Sequence, residues 1–120
     1  MQAFLATVRE NCPRSNWSRG VEWARVKGVV TADSETPESV TLKVKADSDL
    51  MTRTVTLYLD DEDWTCDCPG KDDVCAHVAA AAIALSALDV ARARLTAAIA
   101  ALLATAIFVA TRGLFIWSAT

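Results

Sequence analysis

Three cysteines and the chain's only histidine fall in one run of twelve residues, Cys66-Asp67-Cys68-Pro69-Gly70-Lys71-Asp72-Asp73-Val74-Cys75-Ala76-His77. The C-x-C-x6-C-x-H spacing offers four soft or borderline donors, the number a tetrahedral zinc ion takes. Few features constrain a fold so tightly. Cys66 and Cys68 sit two apart, so in an extended segment both sulfurs face one way. Pro69-Gly70 turns the chain, and Cys75 and His77 return at the start of an expected helix. One ion would then tie the end of a strand to the base of a helix, and its binding energy becomes folding energy.

With 120 residues the chain is about one domain. Its apolar content is rich in alanine after residue 76, so the core is expected to be modest and to need such a staple. Four cysteines leave Cys12 as a single thiol outside the motif. With no basic n-region or long apolar stretch after Met1, that pattern points to a reducing, cytoplasmic setting. An iron–sulfur cluster and dithiol chemistry at Cys66 and Cys68 are the alternatives. The adjacent Cys75 and His77 favour zinc.

The expected fold is α+β. A short helix is read over residues 2–10 from Phe4, Leu5 and Val8, ending at Asn11-Cys12-Pro13. Residues 14–20 read as a loop, Val21 to Thr31 as a first strand, and Thr31 to Ser39 as a turn around Pro37. Residues 40–46 alternate apolar with Thr and Lys, the pattern of a half-buried strand. Residues 54–59 repeat it, burying Val55, Leu57 and Leu59. A three-stranded antiparallel β-meander follows, covered by a helix from about Val74 to Val90 whose start Asp72 and Asp73 would cap. The domains are read as 1–20, an N-terminal helix and loop; 21–90, the zinc-binding domain; and 91–120, an apolar C-terminal helical tail.

Trp64-Thr65-Cys66-Asp67-Cys68-Pro69 followed by Cys75-Ala76-His77-Val78-Ala79-Ala80 closely resembles the SWIM zinc finger, a family found in Swi/Snf-type ATPases and Mutator-type transposases. The likeness extends from about Val21 to Leu88. It implies Zn2+ held by Cys66, Cys68, Cys75 and His77, in a module that binds DNA or protein, in bacteria often beside a helicase-type ATPase. Two departures stand out. The four glycines, at 20, 28, 70 and 113, form no phosphate-binding loop, and residues 95–120 are unlike the family's usual sequel.

A catalytic zinc keeps one position open for water, whereas this motif fills all four, so no enzymatic activity is expected. Charge then bears on the partner. The net charge is −3, but Arg9, Arg14, Arg19, Arg25 and Lys27 crowd the first thirty residues. Asp60, Asp61, Glu62, Asp63, Asp67, Asp72 and Asp73 crowd the motif. Three thiolates and one zinc ion add a further −1, which opposes phosphate contact there. A protein partner with a basic surface therefore ranks ahead of DNA. DNA, if bound, would meet Arg14, Arg19, Arg25 and Lys27, with Trp17 or Trp23 for stacking. Residues 95–111 carry no charge and raise a third reading, a membrane-tethered zinc-finger protein. Their alanine content, with Leu95, Ile99, Leu102, Leu103 and Ala106 in one stripe, is more typical of a packed helix.

Overall fold

The computed structural model describes residues 1–46 and 51–118, with residues 106–118 as backbone alone. Its elements are α1 (Gln2–Glu10), α2 (Arg14–Arg25), β1 (Val30–Glu35), β2 (Ser39–Val44), β3 (Arg53–Tyr58), β4 (Asp63–Cys66) and α3 (Ala76–Ser118). The strands form one antiparallel sheet in the order β1-β2-β3-β4. The chain forms two compact units, Met1–Ala87 and Leu88–Thr120.

The alternating segments behave as their pattern dictates. Val40, Leu42, Val44 and Ala46 are buried, as are Val55 and Leu57, while Leu59 is half-buried against the same core. On the opposite face Lys43 Nζ donates to Thr54 Oγ1 at 2.7 Å, and the Thr41 and Thr56 hydroxyls meet at 3.4 Å. The cover comes from Val78, Ala81, Ala82 and Leu85 of α3 and from Phe4 and Val8 of α1. Phe4 also meets the Trp64 ring edge-on, with centroids 6.3 Å apart.

Four of the sequence expectations need correction. The sheet has four strands, not three: β1 and β4 are its edges. β1 reads Val-Thr-Ala-Asp-Ser-Glu, is almost wholly exposed, and carries an irregularity between Ala32 and Ser34. With only one paired edge and little burial, it has no apolar alternation to read. Residues 14–20 are not a loop and Val21 to Arg25 are not strand; both belong to α2. Asn16, Trp17, Gly20, Val21, Trp23 and Ala24 are its buried or half-buried positions, a helical period hidden under β-branched and aromatic residue types. The supposed turn from Thr31 to Ser39 holds most of β1, leaving residues 36–38 to reverse the chain. Finally, the covering helix does not end near Val90. α3 runs unbroken to Ser118, because no proline and, before Gly113, no glycine interrupts its alanines and leucines. Residues 47–50, after β2, lie outside the described residues.

Candidate metal centre

β4 ends at Cys66, which pairs with Val55 of β3. One residue further on, Asp67 N–H donates to the Thr54 carbonyl at 3.3 Å and Asp67 Oδ1 accepts from Thr54 N–H at 3.0 Å. These bonds carry the pairing one residue past β4 before the chain bends at Cys68, and the two sulfurs come together within 4.8 Å. The knuckle that follows is braced from α2 and β4. Asn16 Nδ2 donates to Asp72 Oδ2 at 2.9 Å and to the Val74 carbonyl at 3.1 Å, and Trp64 Nε1 donates to the Asp73 carbonyl at 2.7 Å. Val74 is completely buried and anchors the returning chain.

Cys75 immediately precedes α3, and its sulfur accepts from the Val78 N–H at 3.5 Å. That is the N-cap bond, so the expected capping by Asp72 and Asp73 is replaced by the metal-ligating cysteine itself. Asp72 turns instead to Asn16. His77 lies within the first turn of α3, its ring 5.2 Å from that of Trp23 on α2.

The donor atoms of Cys66, Cys68, Cys75 and His77 all lie within 4.8 Å of one another, and each residue is half-buried. A zinc tetrahedron with Zn–S near 2.3 Å needs donor separations of roughly 3.7 Å, so a small contraction closes the set. The residues fit the ion in number, type and placement.

The protein atoms already favour an anionic sulfur. A hydrogen bond from Cys66 holds Cys75 down to about 4, helped by His77 and the Val78 N–H and opposed by burial. Cys66, which keeps the shared proton, is pushed well above the ordinary thiol range by that bond and by burial. Cys12 stands outside the donor set. Its sulfur donates to the Val74 carbonyl at 3.8 Å, and burial, then Cys75 and Asp72, raise its pKa.

Two groups of residues singled out from sequence are redistributed. Asp60, Asp61 and Glu62 do not surround the motif: Tyr58 pairs with Asp63 and Val55 with Cys66, so the β3–β4 turn lies at the other end of the hairpin. Trp17 and Trp23 are half-buried, the first beneath Arg9 with 5.1 Å from guanidinium carbon to ring centroid. Asn16 and Trp64 escaped sequence reasoning as bracing residues. Asn16 carries no signal unless α2 is already known, whereas Trp64 sits in the motif's lead-in. Among the described residues no helix is long and apolar enough to cross a membrane; the side chains of 106–111, part of the proposed span, lie outside them.

Residues 53–86 match the family model of the SWIM zinc finger. No match was found among the curated proteins or among the solved structures. The match brackets β3, β4, the knuckle and the start of α3, and includes every one of the four donors. Spacing, converged side chains and family match thus identify residues 53–86 as a SWIM zinc finger, a Zn2+ site of three cysteines and one histidine.

Proposed function

We propose that this zinc finger is a structural brace within a non-catalytic interaction module whose partner is a protein with a basic surface. The observation that carries the reading is the closed donor set. Protein atoms fill all four positions, so the ion's work is to hold β4 against the base of α3. Recognition then falls to the surface so fixed. At the turn end of the sheet Glu38, Asp60, Asp61, Glu62 and Asp63 are all exposed, and such a concentration of carboxylates steers a basic partner. A helicase-type ATPase is the partner class that the family likeness suggests.

DNA is the second reading, supported by Arg14, Arg19, Arg25 and Lys27, all exposed on α2 or just after it. Trp17 and Trp23 each already have a cation or ring against them, which leaves them poorly placed as stacking platforms and favours protein. Fluorescence anisotropy with a Lys/Arg-rich peptide and with a DNA duplex, at one salt concentration, separates the readings. Peptide binding lost in an Asp60→Lys, Asp61→Lys variant is the expected result. Tighter duplex binding, lost on replacing Arg14 and Arg19 by Glu, would replace the protein reading with the DNA one. Co-purification of an ATPase with the tagged chain tests the partner class.

A further inference from the structure

Arg53 opens β3 directly across from the zinc knuckle. The paired Thr54–Asp67 hydrogen bonds carry the β3–β4 register past Val55 and Cys66. Side chains two apart on a strand share a face, so Arg53 stands on the face of Val55 and Leu57, next to Cys68. It is half-buried, and its Nε is shut off from solvent with no acceptor among the described residues. It lines a cavity of about 290 Å3 together with Cys68, Cys75, His77, Arg19 and Asp72.

A buried guanidinium donor without an acceptor is costly unless a counter-charge completes it. Two candidates exist for that counter-charge: a free anion entering the cavity, or the metal cluster itself. The charges lining the cavity decide between them. Arg19 and Arg53 contribute two positive charges; Asp72 and a zinc ion carrying three thiolates contribute two negative ones. These cancel, leaving no excess to draw in an additional anion. That leaves the cluster, whose Cys68, Cys75 and His77 line the same cavity as Arg53, as the counter-charge.

We propose that Arg53 is the resident counter-charge of the zinc–thiolate cluster, a positioning residue that sets how tightly the metal is held. The inference rests on the zinc reading above. A cationic N–H donor beside the sulfurs offsets the cluster's net charge in a half-buried setting and limits its desolvation cost. Arg53→Lys keeps the charge and loses the planar fork; Arg53→Met loses both.

The test is zinc affinity by chelator competition for the full chain and the variants Arg53→Met, Arg53→Lys and Lys43→Met, at one pH and ionic strength. Arg53→Met is expected to bind zinc about 10-fold or more weakly, with Arg53→Lys within about threefold of the parent. Lys43→Met removes an equal charge from the outer face of the sheet and should leave affinity unchanged. In cobalt(II)-loaded protein the thiolate-to-metal charge-transfer band of Arg53→Met should move to lower energy, which a mere packing defect would not cause. Arg53→Met within about twofold of the parent overturns the inference, as does equal weakening in Arg53→Met and Lys43→Met. Should Arg53→Met fail to fold with zinc, Arg53→Lys decides: near-parental affinity upholds the counter-charge, and a tenfold loss, about as large as losing the whole side chain should give, overturns it. A parent chain that takes up no zinc overturns the zinc reading as well, an outcome distinct from failure at Arg53 alone.

Discussion

The first part of α3 buries small residues, and the second leaves large apolar ones exposed. From Ala76 to Leu85 the helix is largely interior, with Ala79, Ala80, Ala81 and Ala82 wholly inaccessible. Beyond Ala87 it carries the larger apolar side chains, yet Leu95 is 63 % and Leu102 71 % exposed. Hydropathy alone would reverse that order. What decides burial is the neighbouring surface: α2 approaches the first part so closely that only small residues fit between them. A Cβ on Gly20 would lie 2.6 Å from Ala79 Cβ and 2.9 Å from the Ala80 nitrogen. The alanines are thus the condition for three layers, sheet, α3 and α2, to meet around the base of the zinc site.

The zinc ligands break this contrast most completely. Cys75→Ser or His77→Ala should weaken zinc binding by more than roughly 100-fold and strip the metal's contribution from the stability of residues 1–87, because removing a ligand exceeds any loss from an outer contact. Zinc stoichiometry and tryptophan fluorescence during denaturation check it; a variant that melts like the parent and keeps one zinc per chain would contradict it. Next in size is the crossing of α2 and α3. Gly20→Ala should cost about 1–3 kcal/mol by overpacking, and Gly20→Val more. Thermal denaturation of the zinc-loaded chain reads the effect, and an unchanged midpoint would mean that the helices do not touch there.

Acid sharpens the comparison from the side of the metal. Cys75 has its pKa lowered from 9.0 to about 4, chiefly by the Cys66 hydrogen bond. A lowered pKa makes the folded state prefer the thiolate. In the chain stripped of zinc, that contribution is therefore complete above pH 9, shrinks below it, and is gone once the pH has fallen through 4. Denaturation of the zinc-free chain across this range should show a slope that Cys75→Ser removes. The smallest effect belongs to the exposed part of α3. Leu95→Gln and Leu102→Gln should shift the stability of the Met1–Ala87 unit by no more than about 0.5 kcal/mol; a larger loss would show that those leucines are covered in solution.

Legibility in the sequence followed burial. β2 and β3 were readable because each buries one face only, which writes strict alternation into Val40–Ala46 and Val55–Leu59. α1 was readable from Phe4 and Val8. β1 was not: an edge strand that buries almost nothing selects no pattern. α2 does not declare itself, because Val21, Trp23 and Val26 suggest strand, while the spacing from Asn16 to Ala24 holds the helical period. The four metal donors were fully legible, since ligand chemistry restricts residue type and spacing more severely than packing does. The acidic run was legible as composition but not as placement. A four-residue strand carries Asp63 away from Cys66, and only the pairing of β3 with β4 reveals which end of the hairpin each occupies.

By itself, then, the sequence determined the C-x-C-x6-C-x-H donor set suited to zinc and the two strands that precede it, all of them local in the chain. The tertiary structure decided what surrounds the site: Asn16 and Trp23 reaching it from α2, Arg53 lining one cavity with Cys68, and alanines rather than leucines at the base of α3. Each of those contacts joins residues far apart in sequence, and their cause is the space left between packed elements, which no single segment encodes.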